Sequence, residues 1–221
     1  MADSVRTAIF DLDGTLHNCI IIYTRAFRKA WGKLEADGHT QPRTFTDAEL
    51  QSFIGLPFVE VWGNLLPDLP KEVWLPYGKS VGDEMDRLIE NGTAQLYPGV
   101  PEMLDQLKAD GYNLVILSNC RVPYREKMIK RFHFDQWFTD FFAGEAYDLI
   151  PKAEIFKQYI EPAYPGDYVF VGDRYKDIEA AFATNMPCIG CTYGFGTREE
   201  LERATAFADS PAEIAGIIES M

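Results

Sequence analysis

A chain of 221 residues with a formal net charge of −13 is poorly suited to binding nucleic acids or anionic membrane surfaces, because both depend on Lys and Arg. Its 47% content of hydrophobic residues is typical of globular proteins, and its length allows one ample core, or a core and a smaller unit. We see no signal peptide and no apolar run of about 20 residues, so we expect a soluble, cytoplasmic protein without a membrane partner.

The first predicted element is a short apolar run at residues 8–10, which indicates a strand buried on both faces. It ends at two carboxylates, Asp11 and Asp13. Because residues i and i+2 of an extended chain point to the same side, both carboxylates should face one small volume beyond the strand. The Asp-x-Asp-Gly pattern is also ordinary turn chemistry, since Asp caps its own backbone and Gly14 permits a tight turn.

Apolar residues at helical spacing follow this strand. They predict helices that begin near residues 20, 47, 57 and 71, the last of which runs to about residue 90. Residues 17–94 should therefore form an all-helical unit inserted directly behind the strand. Trp31, Trp62 and Trp74 lie in this segment, and we expect them to fill its core.

From about residue 95 onwards, predicted strands alternate with predicted helices. The strands are at residues 112–117, 137–142, 168–171 and 186–191; the helices are at 101–110, 124–132, 151–160 and 177–184, with a last one after residue 210. This alternation indicates parallel β-α-β units, so the predicted fold class is α/β with a doubly wound parallel sheet. Residues 1–16 and 95–221 should form the core, and residues 17–94 a smaller helical domain.

Two further strands of the core end at polar residues. One is followed by Ser118 and Asn119, and another by Gly172 and Asp173. Because open parallel sheets bind ligands at the carboxyl ends of their strands, we expect these residues to meet the carboxylates of the first strand. Carboxylates held so close repel one another unless a cation or a proton intervenes. The pattern therefore predicts a metal, a shared proton, or both.

The four cysteines do not suggest a disulfide framework. Cys188 and Cys191 have the C-x-x-C spacing of zinc and redox sites, but no second pair and no histidine cluster accompany them in the sequence. We interpret this segment as a buried strand.

Four motifs resemble, in order and spacing, those of the haloacid dehalogenase-like hydrolases. They are the segment from Asp11 to Thr15, the pair Ser118-Asn119, Lys152, and the segment from Gly172 to Asp177. The resemblance covers essentially the whole chain. It implies a Rossmann-like core with residues 17–94 as a C1-type cap. Residues 54–57, 97–100 and 141–145 are most similar to the phosphoglycolate phosphatase-like branch.

The resemblance implies a Mg²⁺-dependent phosphatase that acts on a small phosphorylated metabolite through an aspartyl phosphate. Asp11 would be the nucleophile, and Asp13 the general acid and base. The metal would be held by Asp11, the backbone carbonyl of Asp13, and Asp173, with Asp177 bound through water. The residues implied to hold the substrate or its phosphoryl group are Ser118, Lys152, Thr15, Asn119 and Arg174, with Gly55, Leu56 and Pro57 in the cap.

Each of these roles has a structural alternative. Ser118 and Asn119 can simply satisfy backbone groups of a loop, Lys152 can be a solvated lysine, and Asp177 can be a helix cap. Arg174 stands where the family commonly has a small residue, which predicts either a contact with the substrate phosphate or an outward ion pair.

Three alternative functions also fit parts of the pattern. A mutase of the β-phosphoglucomutase type uses the same aspartyl phosphate, but residues 53–58 of the cap offer no basic residue for a sugar phosphate. A dehalogenase needs neither Asp13 nor a metal. A catalytically silent binding protein on the same scaffold would not need the complete set of acids. The sequence leaves open which phosphate ester is bound, and whether the protein is a monomer or a homodimer.

Overall fold

The computed structural model describes residues 6–54, 56 and 58–221. They divide into two compact units. One contains the described residues up to Asn18 together with Leu96–Met221, and the other is Cys19–Gln95. Across the described residues, every helix is either too short or too polar to span a lipid bilayer.

The second unit is helical. Its helices are α1 (Ile20–Ala36), α2 (Asp47–Ser52), α3 (Phe58–Leu65) and α4 (Lys71–Glu90). Aromatic rings form its interior: Phe27 and Trp31 pack against each other and against Phe45 and Trp62, with ring centroids 4.8–6.2 Å apart. Trp74 is buried as well, so all three tryptophans of the unit lie in its interior. That this unit acts as a cap stays a prediction.

The first unit is built on a parallel sheet, which has six strands among the described residues. They are β1 (Arg6–Phe10), β2 (Asn113–Ser118), β3 (Asp140–Ala143), β4 (Asp167–Gly172), β5 (Cys188–Cys191) and β6 (Ala206–Ala208). The order across the sheet is β3-β2-β1-β4-β5-β6, and every neighbouring pair is parallel. The chain winds outward in both directions from β1, which confirms the predicted doubly wound α/β fold.

The first unit also contains helices. They are α5 (Val100–Ala109), α6 (Val122–Phe132), α7 (Lys152–Ile155), α8 (Glu161–Ala163), α9 (Tyr175–Thr184) and α10 (Pro211–Glu219). Because β1 lies between β2 and β4, Phe10 is aligned with Ile116 on one side and Val171 on the other. The carboxyl ends of these three strands therefore open on the same edge of the sheet.

The helical unit is inserted between two segments of the first unit that are hydrogen-bonded to each other. His17 forms an isolated antiparallel bridge with Leu96, and the N–H of Tyr97 donates to the carbonyl of Leu16 at 3.0 Å. The observed boundaries, at Asn18 and Leu96, lie within two residues of the predicted ones.

Three elements differ from the sequence prediction. The strand expected at 137–142 begins only at Asp140, because Phe134 and Phe138 pack edge to face in the core instead of extending the sheet. The helix expected at 151–160 consists of α7 and a π-helical turn, Phe156–Ile160. Strand β6 was not predicted, since its three residues are too few to show an alternating pattern.

Candidate active site

Three carboxylates meet at the carboxyl ends of β1 and β4. One oxygen atom each of Asp11, Asp173 and Asp177 lies within 4.8 Å of the others, and we call these residues the acid cluster. Asp11 follows β1 directly, Asp173 follows β4, and Asp177 lies in the first turn of α9. Asp173 and Asp177 are buried, and the side chain of Asp11 is only 11% exposed. The expected meeting of Asp11 and Asp173 is therefore present.

Lys152 begins α7 and joins two members of the acid cluster. Its Nζ atom donates to Oδ1 of Asp11 and to Oδ1 of Asp177, each at 2.6 Å. The residue is buried, unlike a solvated lysine. Burial on its own lowers the pKa of Lys152, but the two carboxylates outweigh this effect and raise it. Lys152 therefore remains protonated, and it balances one of the three charges of the acid cluster.

The remaining charge of the acid cluster is not balanced by Lys152. Burial raises the pKa of Asp11 to about 7, an effect opposed by Lys152 and reinforced by Asp177. Burial also raises the pKa of Asp173 well above its usual range, and repulsion from Asp11 and Asp177 adds to it. The raised pKa values mean that a proton or a cation must offset the charge that Lys152 leaves among these closely spaced carboxylate oxygens, which are the ligands that Mg²⁺ and Ca²⁺ prefer. The residues present fit a hard divalent cation.

Both carboxylate oxygens of Asp173 have hydrogen-bond donors. The hydroxyl of Thr15 donates to Oδ1 at 3.2 Å, and the backbone N–H of Phe195 donates to Oδ2 at 2.8 Å. The side chain of Thr15 thus orients a carboxylate of the acid cluster. Its expected contact with substrate stays a prediction.

Gly14 and Gly196 are two of the glycines at which the backbone approaches Asp173 closely. Gly14 has a φ of +89°, and a Cβ atom there would overlap the carboxylate of Asp173. A Cβ atom at Gly196 would overlap the backbone carbonyl of the same residue. Any larger residue at either position would therefore displace Asp173.

The loop of residues 192–197 was not recognised as part of the site from the sequence. It supplies the N–H of Phe195 to Asp173, and its Tyr193 donates a hydrogen bond to the carbonyl of Thr15 at 2.8 Å. The loop has no charged side chain to mark it as functional. The sequence does contain one sign of this loop: two glycines separated by one residue, Gly194 and Gly196, follow shortly after a predicted strand.

Asp177 and Arg174 each have a structural partner. The backbone N–H of Arg174 donates to Oδ2 of Asp177 at 3.1 Å, so Asp177 caps α9 while its other oxygen binds Lys152. The Nε atom of Arg174 donates to Glu200 at 2.9 Å. Of the two alternatives predicted for this arginine, the structure therefore shows the ion pair. A contact between Arg174 and substrate stays a prediction.

The other expected substrate-binding residues are less defined by the structure. Ser118 is the buried last residue of β2, and Asn119 follows it in an exposed position next to Gly144. Leu56 is exposed on the helical unit, whereas Gly55 and Pro57 lie outside the described residues. Their roles stay predictions.

Asp13 has two hydrogen-bond partners that the sequence motifs do not indicate. Its Oδ1 atom lies 2.8 Å from Nδ1 of His17 and accepts a hydrogen bond from the hydroxyl of Tyr124 at 2.6 Å. His17 could have been found from the sequence, because it is the only ionisable side chain within five residues after Asp13. Tyr124 carries no such signal, since 111 residues separate it from Asp13.

The comparisons with known proteins agree with this geometry. A model of the haloacid dehalogenase-like hydrolase family matches residues 8–191, which include every residue of the acid cluster and Lys152. A 5′-nucleotidase of Pseudomonas aeruginosa is 26% identical over 96% of this chain and 95% of its own length. A phosphoglycolate phosphatase of Mannheimia succiniciproducens is 28% identical over 84% of this chain and 85% of its own length.

Solved structures show that the fold is shared. A predicted phosphoglycolate phosphatase from Haemophilus somnus is 22% identical and covers 99% of this chain and 100% of its own, with a TM-score of 0.80. A haloacid dehalogenase-like family protein from Streptococcus pneumoniae, also 22% identical, has the same coverage and a TM-score of 0.79. The resemblance inferred from the sequence motifs is confirmed: the chain belongs to the haloacid dehalogenase-like hydrolases.

Proposed function

We propose that the protein is a Mg²⁺-dependent phosphatase that hydrolyses a small phosphorylated metabolite through a phosphorylated Asp11. Membership of the family and the names of the relatives support phosphatase activity. The observation that carries the proposal is the position of Asp11, a strand-end carboxylate bonded to a buried lysine within 4.8 Å of two further carboxylates. Hydrolysis of phosphate monoesters is extremely slow without a catalyst, and a positioned carboxylate nucleophile splits it into two easier steps.

In the first step, a carboxylate oxygen of Asp11 attacks the phosphorus atom of the substrate. The bond between phosphorus and the leaving oxygen breaks, and Asp13 donates a proton to that oxygen. In the second step, Asp13 takes a proton from a water molecule, which attacks the aspartyl phosphate. Inorganic phosphate leaves and the carboxylate of Asp11 is regenerated.

Lys152 restrains Asp11 for this attack and contributes positive charge next to the phosphoryl group. Ser118 and Asn119, at the end of β2, would hold the phosphoryl oxygens. Mg²⁺ would be held by Asp11, Asp173 and the backbone carbonyl of Asp13, with Asp177 binding it through water. When bound, the metal supplies charge that offsets the substrate phosphate, which carries about −1.5 to −2.

The relatives suggest which substrates to test first. Phosphoglycolate and 5′-nucleoside monophosphates belong in the panel, because relatives along most of the chain carry those names. Sugar phosphates also belong in it, since they separate a phosphatase from a mutase. A phosphatase releases inorganic phosphate from them, whereas a mutase returns an isomeric sugar phosphate.

The test uses the full-length protein and p-nitrophenyl phosphate, with and without Mg²⁺. We expect turnover that EDTA abolishes and Mg²⁺ restores. Asp11→Asn should lower kcat at least about 10³-fold, because the nucleophile is lost. Asp135→Asn removes an exposed acid of the same unit and serves as the matched control, with wild-type turnover expected.

Two results would contradict the proposal. Unchanged turnover in Asp11→Asn would show that Asp11 is not the nucleophile. Absence of turnover by the wild-type protein with every ester of the panel would favour the catalytically silent binding protein instead. Acid quenching during turnover followed by mass spectrometry should locate the phosphoryl group on the peptide that contains Asp11.

A further inference from the structure

The carboxyl group of Asp13 is held by two donors on one of its oxygens. Nδ1 of His17 lies 2.8 Å from Oδ1 of Asp13, and the hydroxyl of Tyr124 donates to the same oxygen at 2.6 Å. The Tyr124 oxygen and Nδ1 of His17 are 3.0 Å apart, so the three groups form one compact network. The side chain of Asp13 is 26% exposed, so its partners do not enclose it.

The backbone brings His17 to this position. The N–H of Gly14 donates to the carbonyl of His17 at 2.9 Å, and Asp13 and His17 form an isolated bridge. Tyr124 comes from the first turn of α6, after β2. Both side chains are buried, and the ring of His17 also packs against Phe132. Packing therefore fixes both donors before any substrate binds.

The surroundings of His17 determine which ring nitrogen carries the proton. Among the described residues, Nε2 is buried and has no hydrogen-bond partner. An N–H placed there would be a buried donor without an acceptor, whereas a bare ring nitrogen is less costly. We therefore assign the ring N–H to Nδ1, which donates to Oδ1 of Asp13.

We propose that His17 and Tyr124 are positioning residues that keep Oδ1 of Asp13 occupied, so that Oδ2 is the atom that gives and takes the proton during catalysis. This inference rests on the proposed phosphatase function. As the bond between phosphorus and the leaving oxygen breaks, the proton on Oδ2 passes to that oxygen, and the electron pair of the O–H bond returns to Asp13. The two donors prevent rotation of the carboxyl group away from this geometry.

A purely structural role for the two residues makes a different prediction. If they only satisfy Asp13, their loss should affect all substrates equally through stability. If they position the acid, their loss should matter most for esters whose leaving group needs a proton. An alkyl phosphate has such a leaving group, whereas p-nitrophenolate leaves readily without one. The ratio of kcat/KM for the two esters therefore separates the two roles.

The experiment measures kcat/KM for p-nitrophenyl phosphate and for the best alkyl phosphate of the panel. For Tyr124→Phe and His17→Leu we expect a fall of about 10-fold to 100-fold with the alkyl ester. With p-nitrophenyl phosphate we expect a fall of less than about threefold. His17→Asn places an amide N–H near the former Nδ1 and should recover much of the alkyl-ester rate.

Tyr168→Phe is the matched control, because it removes another buried tyrosine hydroxyl, bonded to the carbonyl of Tyr164 and remote from Asp13 in the chain. It should leave the ratio of the two kcat/KM values unchanged.

Thermal melting shows which variants are folded. Tyr124→Phe removes only a hydroxyl group, so the test can still be made if His17→Leu does not fold. If kcat/KM of Tyr124→Phe and His17→Leu fell equally with both esters, or did not fall with either, the positioning role would be overturned and the phosphatase proposal would remain intact. Absence of wild-type turnover would overturn the phosphatase proposal itself.

Discussion

Nζ of Lys152 lies 2.6 Å from Oδ1 of Asp11, although 141 residues separate them in the chain. The side chains are 5% and 11% exposed, so the pair is largely removed from water. Burying an ion pair costs free energy unless its geometry is good, and removing one partner leaves a buried charge without compensation. This pair is therefore a sensitive point for both stability and activity.

We predict that Lys152→Met lowers both kcat and thermal stability. The three carboxylates of the acid cluster would lose their compensating ammonium, and breaking a buried pair typically costs about 3–5 kcal/mol. We expect kcat to fall at least about 100-fold, since the nucleophile also loses its restraint. Lys157→Met, which removes an exposed lysine of the following π-helical turn, is the control for loss of a positive charge. Wild-type kcat in Lys152→Met would contradict this account of Asp11.

Asp173→Asn should remove the stabilisation that Mg²⁺ gives. A ligand that binds only the folded state stabilises it by about 2.7 kcal/mol at 100 times its Kd. We therefore expect Mg²⁺ to raise the Tm of the wild-type protein and to leave that of Asp173→Asn nearly unchanged. Differential scanning calorimetry over a Mg²⁺ series measures this, with Asp135→Asn as the charge-matched control. If Mg²⁺ raised the Tm of Asp173→Asn as much as that of the wild-type protein, Asp173 would be excluded as a ligand.

Gly196→Ala should disturb Asp173 without changing any charge. The added Cβ atom would overlap the backbone carbonyl of Asp173, so the loop or the strand end must move. We expect a fall in kcat of at least about tenfold and a lower Tm. Gly216→Ala is the control, because a Cβ atom there has open space within helix α10 and should stabilise by about 0.5–1 kcal/mol. The prediction fails if the two variants behave alike.

Arg174→Ala should have little effect on catalysis. The Nε atom of this arginine is bonded to Glu200, and the two side chains are 21% and 27% exposed. We expect kcat/KM to fall less than about threefold and stability to fall by no more than about 1 kcal/mol. Glu200→Gln should reproduce the stability change, because it breaks the same pair. A larger loss of kcat/KM in Arg174→Ala alone would restore its expected role in substrate binding.

The helical unit should lose stability in acid through Glu84. Hydrogen bonds from Arg87, and then from Lys29, lower the pKa of Glu84 to about 2. A carboxyl group with a lowered pKa stabilises the folded state above its unfolded pKa of about 4.5, and this contribution is lost as the pH falls towards 2. Glu84→Gln should therefore be less stable than wild type at pH 7, and the difference should shrink between pH 4.5 and pH 3. Urea unfolding at several pH values measures the difference in free energy of unfolding between the two proteins. A difference that stayed constant with pH would contradict this prediction.

The central strands and the meeting of Asp11 with Asp173 could be predicted because their signals are local. The apolar runs that end at Asp11 and Asp173 indicate strands by composition, and the rule that parallel strands share one ligand-binding edge brings their ends together. The helices of the second unit were equally predictable from periodicity.

The contacts that complete the site are not local, and the sequence did not reveal them. Tyr124 reaches Asp13 across 111 residues, and Phe195 binds Asp173 through a backbone N–H that any residue carries. The pairing of Arg174 with Glu200 depends on a loop whose path has no periodic pattern. Such contacts follow from the packed structure rather than from residue type, so only coordinates define them.

The bridge between His17 and Leu96 has an evolutionary consequence. The chain departs from the catalytic unit and returns to it at these two neighbouring residues, so the segment between them is an insertion whose ends are joined by one isolated bridge. Recombination can exchange such an insertion for one of different length or sequence while the sheet and its acidic centre keep their connectivity. Descendants of a single ancestral enzyme can thereby diversify in the molecules they accept, while the bond-breaking apparatus is inherited unaltered.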